Sequence, residues 1–283
     1  MDVTFYTEPQ KFLDVAGEYL ERHIRTHTIV ATVARREPLK NMPYWFAVMS
    51  EGETIRGIAM RTHPQPPHAL FVPSLSEECL AALAHALLER KEQVTACNGD
   101  VQTARSLFQL LGYPHPVVGV HTRLHFLDHV TFPSKPAGEL RQATLADLPL
   151  IKSWRRTFWE DVEKQGGREP QEDEVQSYAD SSLTEPAVVA GQYWFWEVDG
   201  KPVHMTVTQP ARFGVEKIGP VYTPEEYRGN GYAGYVVALL SHQILERGHT
   251  PTLYTDQANP VSNKVYTRIG FVGAADEGEV LVN

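Results

Sequence analysis

The sequence has few cysteines, no excess of basic residues and no long apolar run. Its only two cysteines, Cys79 and Cys97, cannot form a disulfide framework, and we expect both to be reduced. The formal net charge of −9 at pH 7 argues against a nucleic-acid-binding protein, which usually presents a basic surface. No apolar stretch approaches the roughly 18 residues of a membrane span, and no basic segment precedes an apolar core as in a secretory signal. The sequence therefore predicts a cytoplasmic protein, monomeric or homodimeric, without a nucleic-acid or membrane partner.

Histidine is plentiful, with 12 residues, and His121, His125 and His129 are spaced four apart. Apolar residues alternate with more polar ones through this segment, which indicates a strand rather than a helix. On a strand, His121 and His125 would lie about 13 Å apart, too far to share one metal ion. The sequence therefore predicts solvent-exposed strand histidines and no metal site.

The chain repeats one pattern. The letters YWF occur twice, each time before a turn and a second apolar run, which predicts a β-hairpin in each copy. Three pairs of segments recur in the same order: YWF at 44–46 and 193–195, ALAHALLER at 82–90 and LLSHQILER at 239–247, and LGY at 111–113 and IGF at 269–271. The offsets between the copies are 149, 157 and 158 residues. Nearly constant offsets indicate two copies of one βαβ-containing domain.

The boundary between the copies falls in residues 130–139, where two prolines and a glycine interrupt regular structure. We place the first domain at 1–132 and the second at 138–283. The second copy opens with a short strand, LRQA, followed by a helix that Thr144 caps, with Asp147 three residues later.

The stretch EEYRGNGYAG, residues 225–234, has no counterpart in the first copy. Its Gly229-x-Gly231-x-x-Gly234 spacing matches a dinucleotide-binding fingerprint. However, PEEYR separates these glycines from the preceding strand IGPVYT, and the 27 residues after Asp256 are too few to complete such a sheet. A P-loop is excluded, because no Lys-Ser or Lys-Thr follows the glycines. A dinucleotide oxidoreductase remains the weaker alternative, which binding of NADH would reveal.

Starting from Arg228, the same stretch contains Arg-x-x-Gly-x-Ala. With Gly231 and Ala233, it meets the signature Arg/Gln-x-x-Gly-x-Gly/Ala of the GNAT N-acetyltransferase family, which the sequence resembles. Downstream, an Asn-containing turn and a helix ending in Tyr-x-x-x-Gly-Phe are matched by Asn259, Tyr266, Gly270 and Phe271. The clear match covers 215–272, and strand order extends it to 140–283. The resemblance implies an α/β (α+β) fold: two GNAT-like domains in tandem, each a mixed, mainly antiparallel twisted sheet with flanking helices and a splayed central strand pair.

The resemblance also implies acetyl-CoA as co-substrate, held by its pyrophosphate where a helix begins after the glycines. Backbone N–H groups and the positive end of the helix dipole favour an anion there, and glycines remove side chains that would block it. Pro220 indicates where the strand splays, which frees the following backbone for the pantetheine arm and the acetyl carbonyl. The predicted cofactor-binding residues are Val221, Tyr222, Thr223, Arg228, Gly229, Asn230, Gly231, Tyr232, Ala233, Asn259 and Ser262.

Acetyl transfer from a thioester to a primary amine needs a neutral amine, a polarised carbonyl and a proton for the departing thiolate. Tyr266 matches the family's usual proton donor, and backbone N–H groups near 221–222 would polarise the carbonyl. Glu216 is the first candidate for the base, although it lies about one residue from the family's position, which Lys217 could occupy. Two hairpin residues, Glu197 and His204, and proton loss through water are the alternatives.

The first copy lacks both functional elements. Phe108 stands at offset 158 from Tyr266, and LFVPSLSEECLAAL runs from strand to helix without a glycine. We expect this copy to be a structural partner or to shape the substrate site. The acceptor is predicted to be a small molecule with a primary amine. A non-catalytic protein that binds CoA is the alternative function, against which the intact Tyr266 argues.

Overall fold

The computed structural model describes residues 1–35, 44–63 and 67–282, which form two compact units. The first unit comprises Met1–Arg123 and the chain from Ala274 onward, and the second comprises Leu124–Gly273. The elements of the first half of the chain are β1 (Asp2–Tyr6), α1 (Pro9–Arg22), α2 (Ile24–Val33), β2 (Trp45–Glu51), β3 (Thr54–Arg61), β4 (Leu70–Val72), α3 (Glu77–Glu89), β5 (Ala96–Asp100), α4 (Val101–Leu110) and β6 (Val117–Phe126). Those of the second half are β7 (Glu139–Gln142), α5 (Leu148–Gln165), α6 (Glu172–Ala179), α7 (Thr184–Val189), β8 (Tyr193–Val198), β9 (Lys201–Thr208), β10 (Val215–Tyr222), α8 (Tyr232–Glu246), β11 (Thr250–Asp256), α9 (Pro260–Ile269) and β12 (Val272–Leu281).

The sheet of the first unit has the strand order β1-β2-β3-β4-β5-β12-β6. Strands β4 and β5 are parallel, whereas the pairs β1–β2, β2–β3, β3–β4 and β5–β12 are antiparallel. Its core includes Met49 on β2, Leu83 on α3, Phe108 on α4 and Val280 on β12, all fully buried.

The sheet of the second unit has the order β6-β11-β10-β9-β8-β7, to which β6 contributes its last residues. Strands β10 and β11 are parallel, whereas β7–β8, β8–β9 and β9–β10 are antiparallel. Leu127, Trp196, Val237 and Phe271 are buried in its core. Both units thus have the mixed, mainly antiparallel sheets with flanking helices that the sequence predicted.

Two strands pass from one unit to the other along the chain. Residues 124–126 of β6 belong to the second unit, whereas β12 joins the first from Ala274 and pairs with β5. The compact units therefore differ from the limits of 1–132 and 138–283 drawn from the sequence repeat. The sequence repeat could not predict which unit each of these strands joins, because strands pair through contacts between residues that are distant in the sequence.

The local predictions for the second unit are confirmed. Strands β8 and β9 form the hairpin expected after YWF, with a turn at Asp199–Gly200. The capping box of Thr144 and Asp147 is present ahead of α5: the Asp147 carboxylate accepts the Thr144 N–H at 2.7 Å. In the first unit, β2 and β3 form the matching hairpin.

Helices α4 and α9 end in the same way, which supports the repeat. The Tyr113 N–H donates to the Phe108 carbonyl at 2.9 Å, and the Phe271 N–H donates to the Tyr266 carbonyl at 3.0 Å. The intervening glycine has a left-handed φ in each case, +94° at Gly112 and +114° at the equivalent residue after α9. Glycine adopts this conformation at little cost and closes the helix end.

The histidine segment is a strand, β6, as predicted, but one of its histidines is not solvent-exposed. His121 is exposed, whereas His125 is 4% exposed and its Nε2 lies 3.0 Å from the Thr255 hydroxyl. The expectation of exposure was wrong for His125, because the end of β6 is covered by its neighbours in the second unit. Within the described residues, no group of three or more His, Cys, Asp or Glu side chains could hold a metal ion. No helix in the same part of the chain is long and apolar enough to cross a membrane.

Candidate active site

The parallel strands β10 and β11 separate partway along their length. Only Val215–Lys217 pair with Thr250–Thr252, although both strands continue beyond these residues. The register of β10 against β9 also shifts between Ile218 and Val221, around the predicted irregularity at Pro220. A cavity of about 610 Å³ lies at this separation, between Ile218–Thr223 on one side and Leu253–Asp256 on the other.

The cavity collects residues that are far apart in the sequence. Helices α5, α8 and α9 and the loops that precede α8 and α9 complete its lining. Of the predicted site residues, those that line it are Val221, Tyr222, Thr223, Arg228, Gly229, Asn230, Gly231, Tyr232, Ala233, Asn259, Ser262 and Tyr266. Glu216 is the one predicted site residue that is not among them.

The start of α8 has the features of an anion site. Gly229 and Gly231 have φ values of +82° and +81°, and a Cβ at either position would meet no atom within 4 Å. Gly231 is the N-cap, so no side chain caps the helix, and its first turn holds no acidic residue. The first intrahelical hydrogen bond at this end runs from the Tyr235 N–H to the Gly231 carbonyl, 3.1 Å. The N–H groups of 232–234 precede it, and these residues line the cavity, so the start of α8 fits a pyrophosphate.

Arg228 lies at the same end of the cavity and is already paired. Its Nε donates to the Thr223 carbonyl at 3.0 Å, and its Nη2 lies 2.5 Å from Oδ2 of Asp161 on α5. The Arg228 side chain is 46% exposed and that of Asp161 is 27% exposed. Such an exposed ion pair is weak and can be exchanged for a ligand.

Asn259 and Ser262, at the start of α9, also line the cavity. The Asn259 Oδ1 accepts the Ser262 N–H at 3.1 Å, which caps α9. The Asn259 Nδ2 donates to Oε1 of Gln165 on α5 at 2.6 Å. The sequence placed both residues in the cofactor site but did not show that one of them caps the helix.

Tyr266, on α9, presents a buried phenol to the cavity. The residue is 8% exposed, and burial raises the pKa of its phenol well above the usual range. Its hydroxyl has no hydrogen-bond partner among the described residues. A protonated phenol in this place can donate a proton to a strongly basic group such as a thiolate.

The Glu216 carboxylate is bonded to residues outside the cavity lining. Its carboxylate accepts from Arg247 at 2.8 Å and lies 2.6 Å from His249 Nδ1. Burial, the largest single effect, raises the pKa of Glu216, but the hydrogen bonds from Arg247 and His249 outweigh it and the net shift is downward. The carboxylate therefore joins β10 to the end of α8, outside the cavity lining.

Neither of the two alternative bases is among the lining residues. Glu197 accepts from Arg141 at 2.8 Å. His204 is fully buried, with Nδ1 2.7 Å from the Thr223 hydroxyl and Nε2 2.7 Å from the Thr206 hydroxyl. Burial lowers the pKa of His204 to about 3, so the ring is neutral at physiological pH.

The sequence analysis did not identify the contribution of α5. Phe158, Asp161, Val162 and Gln165 line the cavity from one face of this helix. Their spacing of three and four residues is typical of any helix that buries one face, so it carried no sign of a site. The acidic Asp161 on that face was the one residue from which the sequence could have indicated a functional role for α5.

The chain is similar to known proteins in one segment and in its fold. Residues 206–279 match the family model described as FR47-like protein. No curated protein matches the sequence. Among solved structures, the fold is similar to a GNAT-family acetyltransferase from Colwellia psychrerythraea, with a TM-score of 0.58, 10% identity and coverage of 100% of both chains. It is similar to a GCN5-related N-acetyltransferase from Sphaerobacter thermophilus, with a TM-score of 0.60 and 16% identity over 98% of this chain and 94% of that one.

A third similar structure is a tandem GNAT protein from the clavulanic acid biosynthesis pathway. It has a TM-score of 0.56 and 15% identity, over 99% of this chain and 98% of that chain. At such identities the likeness concerns the fold. The chain therefore has the tandem GNAT fold that its sequence predicted. The FR47-like match covers β10, α8, β11 and α9, which line the cavity together with α5 outside the match.

Proposed function

We propose that the second unit transfers an acetyl group from acetyl-CoA to a primary amine of a small molecule. One observation carries this proposal: the uncapped start of α8, a separated strand pair and the Tyr266 phenol all face one cavity. Acetyl-CoA would supply the activated acetyl thioester. The acceptor amine, the cytoplasmic location and a monomeric or homodimeric state remain predictions from the sequence.

The start of α8 would hold the pyrophosphate of the co-substrate. The N–H groups of 232–234 and the helix dipole favour a group with negative charge, and Arg228 can add a charge-assisted hydrogen bond. The backbone of Val221–Thr223, beyond the register shift in β10, is then available to the pantetheine arm and the acetyl carbonyl.

Tyr266 would act as the general acid. Its raised pKa keeps the proton on the phenol until a more basic thiolate forms nearby. A neutral donor is also the form that burial in the core of the second unit favours.

For the base, we withdraw Glu216 from the proposed catalytic set. Its carboxylate is paired with Arg247 and His249 outside the cavity lining, and Glu197 and His204 are likewise engaged elsewhere. Proton loss from the amine through water, the remaining alternative, needs no side chain of this chain.

The first unit would not bind the co-substrate. The Ser76 side chain caps α3 by accepting from the Cys79 N–H at 3.3 Å, and the first turn carries Glu77 and Glu78, which repel an anion. Strands β4 and β5 stay paired to the last residue of β4: Val72 lies opposite Gly99, where a Cβ would lie 2.0 Å from the Val72 carbonyl oxygen. We propose that this copy has a structural role.

Two measurements on the intact protein test this proposal. Calorimetry with acetyl-CoA should show one site, and release of free thiol should follow addition of an acceptor from a panel of amines. One site without thiol release would support the alternative of a non-catalytic CoA-binding protein. Binding of NADH in place of acetyl-CoA would overturn the assignment.

A further inference from the structure

We propose that Asp161 is the anchor for a cationic group of the acceptor, and that Arg228 masks this anchor until the co-substrate binds. This inference rests on the proposed function, because it concerns the acceptor side of the same cavity. It assigns the substrate class: an amine that carries a second, distal positive charge.

The first argument is the charge of the cavity. Among its described lining residues the formally charged side chains are those of Asp161, Arg228 and Asp256. The Asp256 carboxylate accepts the Ala258 N–H at 2.7 Å and so helps to hold its own loop. Once a pyrophosphate neutralises Arg228, the protein charges left in the cavity are carboxylates. A cationic acceptor complements them, and an anionic one does not.

The second argument is the exchange of partners at Arg228. In the structure its Nη2 bonds to Asp161 at 2.5 Å, and both residues line the cavity with the start of α8, whose N–H groups would hold the phosphates. Phosphate oxygens bind guanidinium at least as well as a single exposed carboxylate does, and they carry more charge. Binding of the co-substrate therefore competes for Arg228 and leaves the Asp161 carboxylate without its cation.

The third argument is the surroundings of Asp161. Phe158 precedes it by three residues on the same face of α5, and its ring packs edge-on against Tyr222, with centroids 6.3 Å apart. Burial and then the charge of Asp161 raise the pKa of the Tyr222 phenol, which keeps the ring neutral. A carboxylate beside two aromatic rings suits an alkylammonium group, because ring faces also attract cations.

Helix α5 meets both sides of the co-substrate site. Asp161 bonds to Arg228 before α8, and Gln165, one turn later, bonds to Asn259 before α9 at 2.6 Å. The face that would receive the acceptor is thus bonded directly to residues proposed to contact acetyl-CoA. The proposed exchange at Arg228 implies that the co-substrate binds first and the acceptor second.

The first test compares acetyl-CoA affinity in the wild type, Asp161→Asn and Glu160→Gln by calorimetry. Glu160 is the adjacent acid on α5, pairs with Arg156 at 3.1 Å and is outside the cavity lining, so it is the matched control. Removal of the competing carboxylate should tighten acetyl-CoA binding about 1.5- to 5-fold in Asp161→Asn, the range for an exposed ion pair. Glu160→Gln should leave it unchanged. Weaker or unchanged binding in Asp161→Asn would show that Asp161 does not compete with the ligand.

The second test measures acceptor binding to the protein saturated with CoA, which allows no turnover. Putrescine, butylamine and γ-aminobutyrate have the same amine and a distal group that is cationic, neutral or anionic. We expect putrescine to bind up to about fivefold tighter than butylamine, the upper range for an exposed ion pair, and γ-aminobutyrate to bind most weakly. Asp161→Asn should remove the advantage of putrescine, Glu160→Gln should keep it, and without CoA it should be absent.

Three results would overturn the inference: tightest binding of γ-aminobutyrate, the same order in Asp161→Asn, or no binding of putrescine to the CoA complex. Each leaves the proposed function intact if acetyl-CoA still binds the wild type. Failure of acetyl-CoA to bind the wild type is a different outcome and removes the proposed function itself.

Discussion

Tyr266 packs edge-on against Phe271, with ring centroids 6.0 Å apart and planes at 72°. In the first unit Phe108 packs in the same manner against Tyr113, at 5.9 Å and 86°. Each residue of one pair lies 158 positions from its equivalent in the other. The two aromatic pairs therefore have the same geometry, but the tyrosine is the first member of one pair and the second member of the other. In the second unit the hydroxyl belongs to the helical residue, which lines the cavity, whereas in the first unit it belongs to the residue after the glycine.

The first prediction concerns this hydroxyl. Tyr266→Phe should lower turnover about 10²-fold or more, the usual contribution of a positioned general acid. Affinity for acetyl-CoA should hardly change, because the proposed co-substrate contacts lie at the start of α8 and on β10. Thiol release at saturating acetyl-CoA measures the first quantity and calorimetry the second.

The converse change is the control. Phe108→Tyr should add no activity to a Tyr266→Phe background, because the first unit lacks the uncapped helix and the strand separation. Full activity of Tyr266→Phe alone would mean that water or another residue supplies the proton.

The second prediction concerns the start of α8. Gly231→Glu places a carboxylate where the pyrophosphate would lie and should abolish acetyl-CoA binding through like-charge repulsion. Gly200→Glu, in the β8–β9 turn, is a matched control, since its φ of +71° and open surroundings resemble those of Gly231 (+81°). Both variants carry the same backbone strain, so calorimetry isolates the effect of position. Equal affinity in both variants would remove the basis for the site.

The third prediction concerns stability in acid. Burial lowers the pKa of His204 from 6.5 to about 3, so the unfolded chain takes up a proton between these values that the folded chain does not. This contribution to stability is complete above pH 6.5 and is lost as pH falls, by about 2 kcal/mol at pH 5. The free energy of unfolding should therefore fall by about 2 kcal/mol less between pH 7 and pH 5 in His204→Gln than in the wild type.

Urea denaturation at several pH values checks this expectation. His85→Gln, an exposed histidine on α3 whose Nε2 lies 3.2 Å from Glu89, is the control and should keep the wild-type slope. A wild-type slope in His204→Gln would contradict the linkage.

The fourth prediction concerns the end of β6. The buried Leu127 donates its N–H to the Pro251 carbonyl at 3.1 Å, and the His125 carbonyl accepts from the Thr252 hydroxyl at 2.8 Å. A fragment of residues 138–283 loses these contacts, whereas 124–283 keeps them. Loss of one buried leucine costs about 2–5 kcal/mol, so the shorter fragment should unfold at least about 5 °C lower, or aggregate. Equal thermal midpoints by circular dichroism would show that the repeat limits are also folding limits.

The backbone conformation of residues 228–231, before α8, could be predicted because it depends on neighbouring residues in the sequence. Gly229 and Gly231 are three residues or fewer from Arg228, and their left-handed φ values follow from the lack of a Cβ. The cap of α9 and the glycine that ends it are equally short-range, and Asn259 and Tyr266, which the resemblance assigned to the site, both line the cavity. Backbone conformation over a few residues depends little on the rest of the chain.

The exposure of His125 was misjudged, and Glu216 lies outside the cavity lining, because the surroundings of both residues depend on distant partners. Glu216 is held by Arg247 and His249, 31 and 33 residues away, and His125 is covered by Thr255, 130 residues away. A period-2 pattern shows that a residue is on a strand, but not what lies over it.

By itself, the sequence determined the tandem repeat, the left-handed glycines before α8 and the absence of a tyrosine hydroxyl on α4, and its resemblance to a family predicted the mixed sheets. The tertiary structure decided which strands complete each unit, that Glu216 joins β10 to α8, and that the Asp161 face of α5 meets Arg228. The reason is physical. Helix caps, turns and glycine conformations are set by neighbouring residues, whereas strand pairing and the surroundings of a carboxylate are set by contacts between segments that only folding brings together.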